Sequence, residues 1–571
     1  MYTQIFDPIS HSLGLSTIFA VLPLLTIFVL LGVVKMKAHW ASLIALVVAL
    51  VVAVAVYGMP TGQALSSAGE GAAFGLFPIM WIVVNAIWVY NLTVSTGHFD
   101  VLRRSFGAVS DDQRIQAVII AFCFGALLEA LAGFGTPVAI SSVMLIALGF
   151  SPLKAASVSL VANTAPVAFG AIAVPITTLA KTTGLSVGDL SSVVGRQTPV
   201  LAVIVPLVLV FMVDGKRGVR QVWPVALLAG LVFGIAQFVS ANYISTPLTD
   251  IIASLVSAAA IVAFLRVWQP AHVLAGERLG DEAVSERMAK ATGGSVQQKA
   301  RTGTGGGSRG GASAADGGSG AAHPDSAAEV ARAYAPYLII IAVFSLAQIG
   351  PIKDLLAKGA TKFNWPGLHI KGPDGKAPSS VSFAFGWLSA AGTLLLIAGL
   401  LTMIVLRVGI PQALRDYLRT LDQLKWAILT VAAVLALAYV MNLSGQTITI
   451  GQWLAGAGGL FAIFSPVLGW LGTAVTGSDT SSNALFGTLQ VSAAKQAGLS
   501  QVLLAAANSS GGVLGKMISP QNLAIGAAAA GMAGKEGELF RKVFGWSIAF
   551  LLLMCVLVYL QSTPVLSWML P

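Results

Sequence analysis

Charge is what this chain lacks. Only 10% of its 571 residues are Asp, Glu, Lys or Arg, while 56% are apolar. Ordinary soluble domains carry ~25% charged residues, so a water-soluble globule is excluded. Cysteine is nearly absent too. Cys123 and Cys555 both sit in apolar runs, which argues against a disulfide framework or a zinc site. The six histidines, at 11, 39, 98, 272, 323 and 369, fall in termini, loops or segment ends. Neither a nucleophile–base arrangement nor metal-ligand spacing emerges, so a membrane-embedded enzyme finds no support. The glycines at 305–311 are not followed by Gly-Lys-Ser/Thr, so they form no phosphate loop. No cofactor is expected. The net charge of +10 lies mostly in loops, where it reads as a topology signal and not as a nucleic-acid footprint.

What the chain has is apolar length. Runs near twenty residues recur from Leu15 to Leu560, the length a helix needs to cross a bilayer. Alternating ten-residue segments do not dominate, which argues against a β-barrel. Crossings are expected near 15–34, 39–57, 73–92, 153–181, 197–213, 222–241, 247–267, 335–350, 384–406, 426–442, 499–532 and 543–562. Two further regions, 115–149 and 453–497, are apolar but broken in the middle. They read as re-entrant hairpins. The expected fold is an all-α polytopic membrane protein of about 12 crossings plus two re-entrant hairpins, in an inverted-repeat transporter architecture. Residues 1–267 form the first membrane half, with repeat 1 over about 15–213 and two connecting crossings in 222–267. Residues 268–333 are a cytoplasmic linker whose Gly/Ser/Ala-rich part should be disordered. Residues 334–571 hold the second repeat. Residues 353–380 read as a polar external loop and 411–424 as an interfacial helix. With both termini extracytoplasmic, most basic residues, Lys35, Lys37, Arg103, Arg104 and Arg407 among them, fall on the cytoplasmic side, as the positive-inside rule requires.

Two stretches look like one part built twice: Gly133-Phe134-Gly135-Thr136-Pro137 and Gly477-Ser478-Asp479-Thr480-Ser481-Ser482-Asn483. Each interrupts an apolar hairpin. Each precedes a broken apolar helix containing an Asn, in Asn163-Thr164-Ala165-Pro166 and Asn508-Ser509-Ser510-Gly511-Gly512. Asn163, Gly170 and Pro175 each match a residue 345 positions later: Asn508, Gly515 and Pro520. Paired interruptions in matching halves point to a transporter's binding site. Helix N-termini at such tips offer free N–H groups and a positive dipole end to a small anion. The candidate substrate-binding residues are Gly133, Gly135, Thr136, Asn163, Thr164, Ser478, Thr480, Ser481, Ser482, Asn483, Asn508, Ser509 and Lys516. Close packing of small residues is the bland alternative for the glycines.

Glu129 and Asp479 are carboxylates inside apolar segments, where an acid can hold a proton near neutral pH. They are the candidates for proton coupling. Lys516 suits either a substrate carboxylate or Asp479 as counter-ion. His98 reads as a solvated loop residue.

Glu129-Ala-Leu-Ala-Gly-Phe-Gly-Thr-Pro-Val-Ala-Ile, Gly477-Ser-Asp-Thr-Ser-Ser-Asn-Ala-Leu-Phe-Gly and Ser519-Pro-Gln-Asn-Leu-Ala-Ile resemble the bacterial L-lactate permease family. Leu131 is bulkier than the small residues usual after that Glu. The resemblance covers the membrane part and implies a secondary transporter of L-lactate, D-lactate and glycolate in the bacterial inner membrane, with proton symport. It also implies a mobile part, 115–181 with 453–532, moving against a scaffold of 15–92 and 335–442. A sodium-coupled carrier of small carboxylates fits the same residues, and a homodimer stays open. A passive channel is disfavoured, because the polar clusters interrupt matched halves instead of lining one stripe.

Overall fold

The computed structural model describes residues 1–571 apart from 134, 276–324, 348, 374, 376, 379 and 380. Phe134 and most of the expected linker therefore lie outside the described residues. Among the described residues, ten helices are long and apolar enough to cross a membrane. The count reaches eleven if the pair Pro152–Ala162 and Val167–Thr183, bent by 65°, is one broken span. The architecture is a helical polytopic membrane fold. Its outer surface carries exposed Val47, Val51, Ile235, Ile404 and Leu552, which water would not tolerate as one surface and lipid does.

Several boundaries differ from expectation for physical reasons. The crossing expected at 73–92 is the second part of Thr61–Ser95. Its first part, Thr61–Phe74, is rich in Gly, Ser and Ala and too polar to register as a span. It is helical because its small residues pack on a neighbour: a β-carbon at Gly71 would collide with the Leu435 carbonyl. The interfacial helix expected at 411–424 is the start of one 35-residue helix, Ile410–Ser444. Its Pro411 occupies the first turn, where proline is tolerated, and nothing else breaks the run. The loop expected at 353–380 contains strands. Ala360–Asn364 pairs antiparallel with Ser382–Gly386, and Ile370–Lys371 pairs in parallel with Tyr2–Thr3. Phe363, Trp365 and Phe383 cluster on that hairpin.

Helix ends define two faces. The span Leu13–Leu31 leads from the N-terminal segment towards Lys35. The helix Glu536–Gln561 starts at Glu536, which feels the charge of Lys35, and ends on the opposite face. There Gln197 Nε2 donates to Gln561 Oε1 at 2.8 Å and Arg196 Nη1 donates to the Met569 carbonyl at 2.7 Å. Both termini thus share one face, and Lys35 lies on the other.

The Lys35 face is held by a buried ion cluster. Arg114, 1% exposed, donates to Asp112 Oδ2 at 2.5 Å, Asp214 Oδ2 at 3.1 Å and the His272 carbonyl at 2.5 Å. It ties the start of the first hairpin to the bend in the helix Val187–Val239 and to the chain after Leu265. Arg114→Met should leave Asp112 buried without its cation, at a cost of about 3–5 kcal/mol. Lys425→Met removes an exposed pair with Asp422 and should cost about 0–1 kcal/mol. Thermal unfolding of the detergent-solubilised protein checks the contrast, and equal midpoints for the two variants would count against it.

Candidate functional site

Two hairpins meet two broken helices. In the first hairpin, Gln113–Leu131 descends to the tip and Thr136–Ala147 returns. In the second, Phe461–Thr476 descends and Asp479–Ala497 returns. Gly135 has φ +85° and Gly477 has φ +77°, a left-handed backbone that glycine adopts without strain. Ser478 caps the returning helix, its Oγ accepting from the Ser481 N–H at 3.3 Å, as a good N-cap does.

The breaks of the two broken helices overlap at 171–173 and 516–518, 345 positions apart, but the expected break at Asn508 is absent, since that residue lies inside a continuous helix. The first turns at 163–169 and then holds Ala171, Ile172 and Ala173 at φ +44°, +58° and +57°. The second runs Gln501–Gly515, tightens to a 3₁₀ turn over Lys516–Ile518, and restarts at Pro520–Ala529. Lys516 lies 345 positions after Ala171, so charge and strained backbone occupy equivalent places.

Between these elements lies a cavity of about 950 Å³, lined by Glu129, Gly133, Gly170, Ala171, Ser478, Asp479, Thr480, Ser481, Lys516 and Gln521. Its mouth carries Lys35, Lys37, His39, Trp426 and Glu536, so it opens on the face opposite the termini.

At its wall, Lys516 Nζ lies 2.5 Å from Glu129 Oε1, with side chains 7% and 3% exposed. This joins the second broken helix to the first hairpin. Asp479, expected as a counter-ion for Lys516, is not its direct partner. Glu129 Oε2 has no hydrogen-bond partner among the described residues. A β-carbon at Gly170 would lie 2.7 Å from Glu129 Oε1, so the glycine makes room for the carboxylate.

Asp479 is held differently. Ser509 Oγ donates to its Oδ2 at 2.6 Å, with Asn483 Nδ2 at 3.4 Å and Thr473 Oγ1 on Oδ1 at 3.5 Å. All three donors are neutral. Asn508 Nδ2 donates to Asn483 Oδ1 at 2.9 Å, and Asn483 Nδ2 also reaches the Pro175 carbonyl at 3.1 Å. Asn483, Asn508 and Ser509 thus stand behind Asp479, outside the cavity lining. Ser482 donates to the Gly469 carbonyl at 3.0 Å and Thr164 to the Val161 carbonyl at 2.7 Å. Gly135 and Thr136 also lie outside the lining, as does Asn163, whose buried Oδ1 is unpartnered among the described residues. Of the candidates, Glu129, Gly133, Ser478, Asp479, Thr480, Ser481 and Lys516 share the cavity.

Sequence reasoning missed Gln521 and Asn522. Asn522 Nδ2 donates to the Gly477 carbonyl at 3.4 Å, and a β-carbon at Gly135 would lie 3.3 Å from Asn522 Oδ1. One side chain thus touches both tips. The signal was the Ser-Pro-Gln-Asn restart after the break. His98 lies away from this site, bonded through Nδ1 to Thr96 Oγ1 at 2.9 Å. Burial, then Arg332, holds its imidazole below its usual range.

Apolar helices broken around a cavity that holds Glu129, Asp479 and Lys516 have the architecture of a membrane transport protein. The chain belongs to the L-lactate permease family, whose model matches residues 16–565. The glycolate permease GlcA of Escherichia coli K12 is 42% identical over 98% of both chains. The L-lactate permease of Bacillus subtilis 168 is 41% identical over the full length of both. Among solved structures, MtrF of Neisseria gonorrhoeae aligns over 88% of this chain and 84% of its own, at 14% identity and a TM-score of 0.45. That likeness is too slight to bear on the site.

Gly170→Ala should force the Glu129 carboxylate from its place and lower uptake at least about tenfold, the effect of roughly 1.4 kcal/mol. Gly537 lines the same cavity with nothing near a β-carbon, so Gly537→Ala should transport as the parent does. Initial rates of labelled lactate uptake, normalised to protein in the membrane, check this pair. Equal rates in the two variants would contradict it.

Proposed function

We propose that this protein takes up L-lactate, together with D-lactate and glycolate, across a bacterial inner membrane by proton symport. The observation that carries the reading is a buried ammonium, Lys516, in the cavity wall, bound to a carboxylate, Glu129. The names of the relatives supply the substrate class, small 2-hydroxymonocarboxylates.

The coupling follows from charge. A substrate carboxylate entering beside an ionised Glu129 would compete with it for one ammonium. A proton on Glu129 removes that competition and frees Lys516 for the substrate. A proton without substrate would leave Lys516 buried and unpaired, which is costly. The wall is therefore comfortable with both passengers or with neither, the condition for symport. Ser478, Thr480 and Ser481, at the start of a 19-residue helix, add hydroxyl and N–H donors for the anion. Asp479, held by neutral donors, is a second acid within reach of the same substrate. With the Lys35 and Lys37 face cytoplasmic, as the positive-inside bias favours, the cavity is open inward. The repeats would then carry the site between faces as a mobile part.

Proteoliposomes with imposed gradients test the reading. Lactate should accumulate with an inwardly directed pH gradient, and not with sodium alone. Glu129→Gln should lose accumulation but keep lactate exchange, since the amide imitates the protonated acid. Lys516→Gln should lose both. Accumulation driven by sodium and indifferent to uncouplers would replace the proton by sodium. Unchanged accumulation in Glu129→Gln would remove that residue from coupling.

A further inference from the structure

A third acid lies inside the membrane part. Asp250, 1% exposed, sits in the first turn of the helix Thr249–Leu265. Gln237 Nε2 donates to its Oδ1 at 3.0 Å, while its Oδ2 has no partner among the described residues. The same Gln237 Nε2 reaches the Ala165 carbonyl at 3.3 Å, inside the first broken helix. Thr198 Oγ1 fixes the other end of that amide, donating to Gln237 Oε1 at 3.1 Å.

The groups around Asp250 are few. The helix Val187–Val239 presents Gln237 and Thr198. The first hairpin presents Glu129 on Gly125–Ala132, a helical segment that packs against the Asp250 helix. Cys123 of that hairpin is bonded to Ser257 further along the Asp250 helix. In the preceding turn, Tyr243 is 73% exposed. Arg196 is engaged with Asn242 and the Met569 carbonyl. No cation pairs with Asp250 among the described residues. A carboxylate so placed would be a buried charge with one oxygen unsatisfied. The neutral acid suits the site, and intramembrane acids default to function.

Position gives that acid a role. The cavity reaches Glu129 from the Lys35 face. Asp250 begins its helix at the other face, where Asn242 meets Arg196 and the C-terminal segment. We propose that Asp250 is a proton-carrying site on the closed side of Glu129. With the site turned away from the Lys35 face, the Asp250 O–H breaks, the proton bonds to the Glu129 carboxylate, and Asp250 is protonated again from the face that carries the termini. This rests on reading Glu129 as the coupling acid.

Asp250→Asn and Asp250→Glu, in proteoliposomes beside the unaltered protein, test it. Asp250→Asn should keep lactate exchange within about twofold, lose accumulation driven by a pH gradient, and flatten the dependence of uptake on external pH. Asp250→Glu should restore accumulation with a displaced pH profile. Accumulation by Asp250→Asn equal to that of the unaltered protein overturns the proposal. So does parallel loss of exchange and accumulation in both variants, which would make Asp250 a support for the Ala165 break. If the unaltered protein does not accumulate lactate with a pH gradient, proton symport itself fails, and the Asp250 proposal falls with it.

Discussion

The site depends on one constraint: a lysine ammonium inside a membrane protein must have a partner. Lys516 meets it through Glu129, which lies 387 residues earlier on another element. Removing one partner of such a pair costs about 3–5 kcal/mol, because the other charge is left buried. The first hairpin and the second broken helix must therefore stay in register while the pair is intact. The nearby glycines follow from this. Gly170 and Gly133 border the carboxylate, and a side chain at Gly170 would displace it.

The two acids that look alike in sequence are unlike in surroundings. Asp479 has three neutral donors from its own half of the chain. Glu129 has one cation, from the other half, and a spare oxygen. A change of charge on Asp479 would reach the first half indirectly, through Asn483 and the Pro175 carbonyl. A change on Glu129 would alter the tie between halves directly, so Glu129 is the better placed of the two for the proposed coupling. The second half still supplies most donors at the cavity wall: Ser478, Thr480, Ser481 and Lys516.

Much of this was legible because lipid imposes simple rules. Apolar length marked the spans, and Gly, Ser and Asn inside them marked the tips and breaks. Asn163 marked the first break to within a turn, but Asn508 lies inside a continuous helix, two turns before the second break at Lys516. What stayed hidden depended on contact. The partner of Lys516 could not be read from spacing, because the two halves meet in space and not in order. Asn483, Asn508 and Ser509 looked like ligand donors by type, yet they bond to one another and to Asp479. The helix Thr61–Phe74 hid because small residues lower its hydropathy while improving its packing. The strands at 360–386 hid in a loop whose polar residues outweighed its aromatics.

The two breaks meet the same need by different costs. Ala171, Ile172 and Ala173 are left-handed, about 1–2 kcal/mol each for residues with a β-carbon. Lys516, Met517 and Ile518 at the matching positions keep ordinary right-handed backbone, and there the cost is a buried charge. Backbone strain of this kind persists only where surrounding packing over-determines it. Here the surroundings include the Glu129–Lys516 pair, since Ala171 and both charged groups share one cavity wall. Loosening that pair therefore also removes part of what holds the strained turn. In the proposed coupling, a proton on Glu129 would act on both breaks at once, on one through charge and on the other through released strain. Two breaks at matched positions can in this way respond together without being alike.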